Sequence, residues 1–299
     1  MAAWYVTMNM QIIRDVKKIS AYTRALKAKK RVVGFVPTMG ALHEGHLSLV
    51  RASRKECGST IVSIFVNPLQ FAQGEDYAVY PRTLKEDTAL LRREKVDCLF
   101  LPAYEPMYPE RFSTTVEETV LSQGLCGAVR PGHFKGVATV IAKLFNLVCP
   151  DRAYFGRKDY QQALVINKMV QDLNFPISVR ILPTMRDHDG VAMSSRNTYL
   201  SSEERMDAEY LYKSLLVAKD LIEQGERDPG TLIQQITKVL RARQSLQVQY
   251  IEVRNAEDLT PVGRVDCPVV IALAVLCGTT RLIDNMVVRF RRGRLVCEL

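Results

Sequence analysis

No apolar run in the chain approaches the ~20 residues that a helix needs to cross a bilayer. The longest, such as Val269 to Cys277, reach roughly half of that length, so no membrane span is expected. The segment from Met1 to Met10 lacks a basic region followed by an apolar core and a small-residue cleavage site, so no secretory leader is expected and the compartment expected is cytoplasmic. The seven cysteines, Cys57, Cys98, Cys126, Cys149, Cys267, Cys277 and Cys297, form an odd set with no C-x-x-C pair and no histidine at zinc-site spacing. Most lie in apolar runs, where a reduced thiol behaves as a small hydrophobe, which fits a reducing compartment and leaves a disulfide framework aside. There is no internal repeat and no low-complexity tract. Histidine is scarce, with only His43, His46, His133 and His188.

What is present is an ordinary globular composition. The 299 residues are 47% hydrophobic and 24% charged, and two domains of roughly 150 residues are the natural division. Lys plus Arg is 41 against 32 for Asp plus Glu, a formal charge of +9. Such an excess points to an anionic partner: nucleic acid, an acidic lipid surface or a phosphate-bearing small molecule. The basic residues alternate with acids through most helices instead of gathering with aromatics, which disfavours a nucleic-acid face.

Up to about Pro183, short β-branched runs alternate with helical patterns. Val32 to Val36, Thr60 to Val66, Val96 to Leu101, Arg152 to Phe155 and Ile177 to Leu182 read as strands, several nearly continuously apolar, as strands covered on both faces are. Pro81 to Glu94 and Asp159 to Leu173 read as helices, and the alternation predicts a parallel sheet with helices on both sides. Beyond it, Ser201-Ser202-Glu203-Glu204 is a capping-box signature and Asp228-Pro229 opens a further helix. Three strand-like runs follow, near Val248 to Val253, Val269 to Leu276 and Met286 to Phe290. This order predicts a smaller α+β domain with an antiparallel sheet, and the division is placed at 184/185.

The most informative stretch runs from Val32 through Pro37-Thr38-Met39-Gly40-Ala41-Leu42-His43-Glu44-Gly45-His46 into a helical pattern, Leu47 to Arg54. A Gly-rich turn and a helix N-terminus at the carboxyl end of a parallel strand is where open α/β sheets bind ligands and where unpaired N–H groups attract phosphate. The turn is not a G-x-x-x-x-G-K-[ST] phosphate loop, because His46 stands at the lysine position and Leu47 at the metal-binding hydroxyl. Nor is it G-x-G-x-x-G, which weakens a dinucleotide dehydrogenase. What remains is H-x-G-H. His43 and His46 bracket Gly45 at the mouth of a helix, so both imidazoles can donate to one polyphosphate while the missing Cβ admits a flat base. A zinc pair would need a third ligand that no nearby motif supplies.

The segment P-T-M-G-A-L-H-E-G-H resembles the signature of the pantoate–β-alanine ligases, members of the HIGH-motif nucleotidyltransferase superfamily. The resemblance implies a Rossmann-like, doubly wound parallel sheet with a smaller C-terminal α+β domain, and it extends from about Met10 to Asn285. It departs at the extra N-terminal residues and at the basic tail Arg289 to Leu299.

Further segments have a physical reading and a family reading. Ile61 to Phe71 is an apolar strand ending in Asn67 and Gln70, whose amides suit a substrate with hydroxyls and a carboxylate, although Asn-Pro is also a common turn starter. It is similar to the family's I-F-V-N-P-x-Q-F, in which the glutamine binds pantoate. Arg130-Pro131-Gly132-His133-Phe134-Lys135-Gly136-Val137 reads as a basic loop with two glycines and resembles the family's R-P-G-H-F-x-G-V, with Lys135 where arginine is common. His133 is a substrate-binding candidate there. Gly156-Arg157-Lys158-Asp159-Tyr160-Gln161-Gln162 opens a helix after a strand, and Asp159 alone reads as an N-cap. Its similarity to F-G-x-K-D-x-Q-Q implies that Gly156, Arg157, Lys158 and Asp159 contact ATP and that Gln162 binds pantoate. Met185-Arg186 and Met193-Ser194-Ser195-Arg196-Asn197 flank an Asp/Gly-rich turn, and two hydroxyls and a guanidinium there suit a triphosphate. This segment resembles the family's [LM]-S-S-R-N loop. His188 matches no motif and reads as exposed.

The resemblance thus implies an ATP-dependent condensation of pantoate with β-alanine through pantoyl adenylate. The nucleotide would lie against Met39, Gly40, Ala41, Leu42, His43, Glu44, Gly45 and His46, against Gly156 to Asp159, and against Met185, Met193, Ser194, Ser195 and Arg196. His46, His43, Lys158 and Arg196 would carry the chemistry, and Gln70, Gln162, Asn67 and His133 the substrate. Mg²⁺ would accompany the nucleotide, no nucleic acid or membrane would be involved, and a homodimer is implied. Another HIGH-motif adenylate-forming ligase or nucleotidyltransferase would share the first motif but would not be expected to carry N-P-x-Q-F and G-x-K-D-x-Q-Q together.

Overall fold

The computed structural model describes residues 10–291 and 294–299. The extra N-terminal residues before Met10 lie outside them. In chain order the first elements are β1 (Gln11–Ile13), α1 (Val16–Ala28), β2 (Val33–Thr38), α2 (Glu44–Glu56), β3 (Ser59–Ile64), α3 (Leu84–Arg93) and β4 (Cys98–Phe100). They are followed by α4 (Tyr104–Met107), α5 (Cys126–Val129), α6 (His133–Val148), β5 (Arg152–Gly156), α7 (Tyr160–Asp172) and β6 (Ser178–Leu182). The remainder is α8 (Ser202–Glu223), α9 (Pro229–Arg241), β7 (Leu246–Asn255), β8 (Val269–Cys277), β9 (Thr280–Arg291) and β10 (Arg294–Glu298).

The chain divides into two compact units. One takes the residues up to Glu117, with Gly132–Phe155 and Ile166–Leu182, and the other takes Glu118–Pro131, Gly156–Val165 and everything from Pro183 onward. Two short stretches ahead of the 184/185 division thus group with the C-terminal unit. Hydrogen bonds account for this: Gln161 Nε2 donates to Leu121 O and Gly124 O, its Oε1 accepts from Cys126 N, and Tyr160 Oη donates to Ala256 O.

In the first unit the sheet order is β1-β4-β3-β2-β5-β6, with β1–β4, β4–β3, β3–β2 and β2–β5 all parallel. This is the expected doubly wound, Rossmann-like arrangement. Strand residues alternate between two cores: Phe35, Ile61, Phe100 and Ala153 pack with Ile19 of α1 and Phe145 of α6, whereas Val36, Val62, Leu99 and Tyr154 pack with Val50 of α2 and Leu91 of α3. A strand that feeds a core on each face has no polar side to show, which is why β2 and β3 read as continuous apolar runs. The chain winds outward from β2 through β3 to β4 and later returns to place β5 on the other side of β2. The switch point therefore falls between β2 and β5, the place where open α/β sheets hold ligands.

The second unit carries an antiparallel sheet, β10-β9-β8-β7. Leu215 and Ile222 of α8 and Leu232, Ile236 and Leu240 of α9 pack against Ile271, Leu273, Met286 and Val288. Ser201 and Glu204 cap α8 reciprocally, Ser201 Oγ accepting from Glu204 N and Glu204 Oε2 from Ser201 N. Asp228 Oδ2 accepts from Thr231 N and caps α9, whose first residue is Pro229. The sequence reading of three strands needs correction, because β10 adds a fourth by pairing along β9. The basic tail from Arg289 is thus partly sheet, and its residues 292 and 293 lie outside the described ones. Among the described residues no helix is long and apolar enough to cross a membrane. All seven cysteines are free thiols.

Candidate active site

In the first unit, β2 runs into a turn held from two sides. Thr38 Oγ1 donates to Ser63 O of β3 at 2.8 Å and accepts from Gly40 N at 3.2 Å. Gly40 (φ +86°) and Ala41 (φ +50°) then take two successive left-handed conformations, which reverses the chain. The exposed backbone donors of that reversal meet one carboxylate: Ala41 N donates to Asp87 Oδ2 at 3.0 Å and Leu42 N to Asp87 Oδ1 at 2.8 Å. Asp87, on α3, is 1% exposed and also accepts from Thr83 Oγ1. Burial pushes its pKa up, against the pull of the Leu42 and Ala41 amides.

The H-x-G-H element is a capping box built from imidazoles. His43 is the N-cap of α2, and its Nδ1 accepts from Gly45 N at 3.2 Å, while His46 Nδ1 accepts from His43 N at 3.4 Å. With Nδ1 of both rings taken as an acceptor, the neutral tautomer that fits carries its proton on Nε2. Nε2 is then the donor atom of each ring. The ring centroids are 4.1 Å apart with the planes at 42°. Glu44 is engaged by Arg51, seven residues along α2, which also pairs with Glu94 at 2.6 Å. Its carboxylate thus serves the surface of the helix, and its backbone belongs to the turn.

The residues expected to hold substrate in this unit converge. Gln70 ends a 3-10 turn, Pro68–Gln70, that Asn67 caps. Gln70 Nε2 donates to Met39 Sδ at 3.0 Å, and Asn67 Nδ2 donates to Gln70 Oε1 at 3.2 Å and to Gly136 O at 3.1 Å. Tyr108 Oη donates to Asn67 Oδ1 at 2.8 Å. Asn67 is 1% exposed and orders the turn, while Gln70 is half-buried.

The R-P-G-H-F-K-G-V segment is not a loop throughout. Gly132 (φ +81°) is a left-handed N-cap, and α6 begins at His133. The reason lies in Gly136, which acts as a contact surface instead of a helix breaker: a Cβ there would fall 2.1 Å from Leu69 O and 2.6 Å from Gln70 N. His133 Nδ1 lies 2.8 Å from Gln70 O, so this histidine, expected at substrate, contacts the backbone of the glutamine. Lys135 pairs with Glu117 at 3.3 Å.

The second unit holds the other motifs. After Gly156, a 3-10 turn of Arg157, Lys158 and Asp159 leads into α7, with Lys158 half-buried and Asp159 exposed. Asp159 closes this turn and directly precedes Tyr160, the first residue of α7. Arg157 turns its guanidinium to β10, where Nη1 donates to Glu298 Oε2 at 2.5 Å. Gln161 is spent on the internal hydrogen bonds given above, whereas Gln162 is half-buried. Met193 N donates to Met185 O at 2.9 Å and Arg186 bridges to Ala192, so the two segments form one hairpin around Gly190. Arg205 braces its turn through Asp187 (2.9 Å) and Asp189 (2.7 Å). Ser194 Oγ accepts from Arg196 N at 3.3 Å, Ser195 is buried and Arg196 half-buried. Lys158 and Ser194 line one small pocket with Ala192, Asn197 and Asp284. His188 is exposed, as expected.

Asp87 and Tyr108 were missed in the sequence. Asp87 had a signal: it falls four residues before Leu91 on the buried stripe of α3, where a carboxylate has no place without backbone donors to meet it. Tyr108 had none, because its partner Asn67 is remote in the chain.

Comparison with known proteins follows the same residues. The family model described as Pantoate-beta-alanine ligase matches residues 11–287. The pantothenate synthetase of Thermosipho africanus is 52% identical over 279 residues, covering 93% of this chain and 100% of that protein. That of Sulfurihydrogenibium sp. is 51% identical over 278 residues, covering 93% and 99%. Among solved structures, pantothenate synthetase from Thermus thermophilus superimposes with a TM-score of 0.88 at 46% identity over 92% of this chain and 98% of that one. The pantoate-beta-alanine ligase of Francisella tularensis, solved with beta-gamma ATP and β-alanine, gives 0.77 at 34% identity over 92% and 97%. With the H-x-G-H turn, the N-P-L-Q-F turn and the matched length in agreement, the chain belongs to the pantoate–β-alanine ligase family.

Proposed function

We propose that the chain forms pantothenate in two steps, with ATP as the activating substrate. In the first, a carboxylate oxygen of pantoate attacks the α-phosphorus of ATP, forming the acyl–phosphate bond of pantoyl adenylate as the bond to pyrophosphate breaks. In the second, the amine of β-alanine attacks the acyl carbon, AMP departs with the electron pair of the acyl–oxygen bond, and the amine loses a proton. A carboxylate alone is a poor acyl donor because its leaving group would be oxide, and adenylation replaces that with AMP. Little covalent chemistry falls to the protein, which aligns the in-line attack and meets charge on the phosphate oxygens.

The observation that carries this reading is the imidazole capping box at the switch point of the sheet. A pair of Nε2–H donors, fixed by the backbone they cap, suits the changing charge of a transferring phosphoryl group, with His46 as the donor to the pentacoordinate phosphorus and His43 beside it. Turn residues Met39 to Leu42 and Glu44 to Gly45 supply the backbone against which the nucleotide lies. Gly156, Arg157, Lys158 and Asp159 with Met185, Met193, Ser194, Ser195 and Arg196 hold the phosphates and then pyrophosphate, Lys158 and Arg196 supplying charge. Gln70 and Gln162 bind pantoate, with Asn67 and His133 setting Gln70. The β-alanine and beta-gamma ATP of the Francisella relative support this substrate set.

Mg²⁺ fits as a cation that arrives on the triphosphate. Phosphate oxygens and water would supply its ligands, since no three His, Cys, Asp or Glu side chains gather among the described residues to hold a metal by themselves. Its chemistry when bound is to offset phosphate charge. Homodimerisation and a cytoplasmic setting accompany the family reading.

The experiment is product analysis. Pantoate, β-alanine and ATP should yield pantothenate and AMP in equal amounts. ADP in place of AMP would refute adenylation.

A further inference from the structure

We propose that Asp284 and Asn285, adjacent residues in β9, are positioning residues for the nucleotide, together holding the Arg157–Lys158 turn and the Arg186 hairpin in register. The proposal rests on the reading that these two segments hold ATP. Neither residue belongs to a motif singled out in the sequence, and both are 3% exposed.

Asn285 Nδ2 donates to Arg157 O at 3.0 Å and to Lys158 O at 2.9 Å. Two carbonyl partners use both hydrogens of one amide and fix which end of the side chain is nitrogen. The carbonyls belong to the turn whose backbone sets the direction of Lys158. Asp284 meets Arg186 in a two-pronged pair, Oδ2 accepting from Nη1 at 2.6 Å and Oδ1 from Nη2 at 2.9 Å. The same guanidinium donates to Gly190 O at 3.0 Å and lies 4.7 Å from the centre of the Tyr212 ring. Arg186 thereby fixes the hairpin that delivers Ser194. Asn285 N donates to Asp284 Oδ1 at 2.8 Å, linking the two side chains.

The geometry follows from the strand. Successive residues of β9 face opposite sides, so Asp284 shares a side with Leu282 and Met286, which pack in the core, and Asn285 takes the other. One dipeptide therefore reaches two segments that are remote in the chain. Stability alone does not call for this arrangement, because apolar residues commonly replace a buried ion pair without loss of stability. The partners argue for register: the segments grasped are the two that line one pocket through Lys158 and Ser194, and Asp284 lines it with them.

The test is binding of β,γ-methylene ATP to full-length Asn285→Ala, with steady-state kinetics alongside. Expected is an about tenfold weaker affinity for the analogue and a matching rise in KM for ATP, the size expected for two lost hydrogen bonds. KM for pantoate should stay near the parent value, and the melting temperature should fall modestly, because two carbonyls lose their buried donor. Analogue binding equal to the parent would overturn the proposal, as would KM for ATP and for pantoate rising together, which marks general loosening. Asp284→Ala strands a buried arginine and invites misfolding, so Asp284→Asn, which keeps one acceptor, is the companion variant, with the same selective loss expected. If the parent chain binds the analogue yet makes no pantothenate, the functional reading falls and the positioning role stands. If Asn285→Ala binds like the parent, the positioning role falls whatever the product.

Discussion

Gly136 lies so close to Leu69 that a methyl group on its Cα would fall 2.1 Å from the Leu69 carbonyl oxygen. This approach seats the Pro68–Gln70 turn on α6 and fixes where Gln70 stands. Gly136→Ala should push the turn away, raise KM for pantoate by about tenfold and leave KM for ATP much less changed, with an overpacking cost of about 1–3 kcal/mol in thermal or denaturant unfolding. Pantoate kinetics unaffected by the methyl group would separate Gln70 from substrate binding.

His46→Ala removes one preorganised donor and should slow adenylation by ~10²–10³. His43→Ala should cost rate as well, and because His43 caps α2 it should also lower stability by about 1 kcal/mol. Single-turnover measurement of pantoyl adenylate separates these effects from binding. Near-normal turnover of His46→Ala at saturating ATP would remove His46 from the mechanism.

Asp87 ties catalysis to pH. Burial holds its carboxyl above the ordinary range, so on acidification it takes up a proton ahead of exposed carboxylates and its grip on the Ala41 and Leu42 amides weakens. The acid limb of kcat/KM for ATP should therefore lie above the usual carboxylate range. Asp87→Asn should lower activity at neutral pH, since one amide oxygen replaces two acceptors, and should abolish that limb. The stability effect has a defined sign: with its folded pKa raised, Asp87 contributes most below its unfolded pKa, and the contribution is lost as pH rises through the folded value. An acid limb identical in the parent and Asp87→Asn would exclude this residue as its source.

Much of the fold was legible because its signals are local. Strands β2 to β6 of the first unit showed as short apolar runs, whereas the three-residue β1 did not, the Ser201–Glu204 box announced α8, and P-T-M-G-A-L-H-E-G-H marked its turn. The misses have physical reasons. Helix α6 opens at His133 behind a left-handed Gly132 and carries Gly136 in its first turn, so its start reads in the sequence as a glycine-rich basic loop. β10 is rich in charge and gains its strand character from pairing with β9. In the site, His43, His46 and Gln70 were visible as motif residues, but the groups that hold them were not. Asp87, Tyr108 and Gly136 act through partners remote in sequence, and only the folded chain brings those pairs together.

The central claim is that pantoate is activated by adenylation before β-alanine takes part, and the most direct measurement is exchange of labelled pyrophosphate into ATP. The account predicts exchange that requires pantoate, proceeds without β-alanine, and gives way to net AMP release once β-alanine is added. Exchange supported by another carboxylic acid but not by pantoate, or none until β-alanine is present, would contradict it.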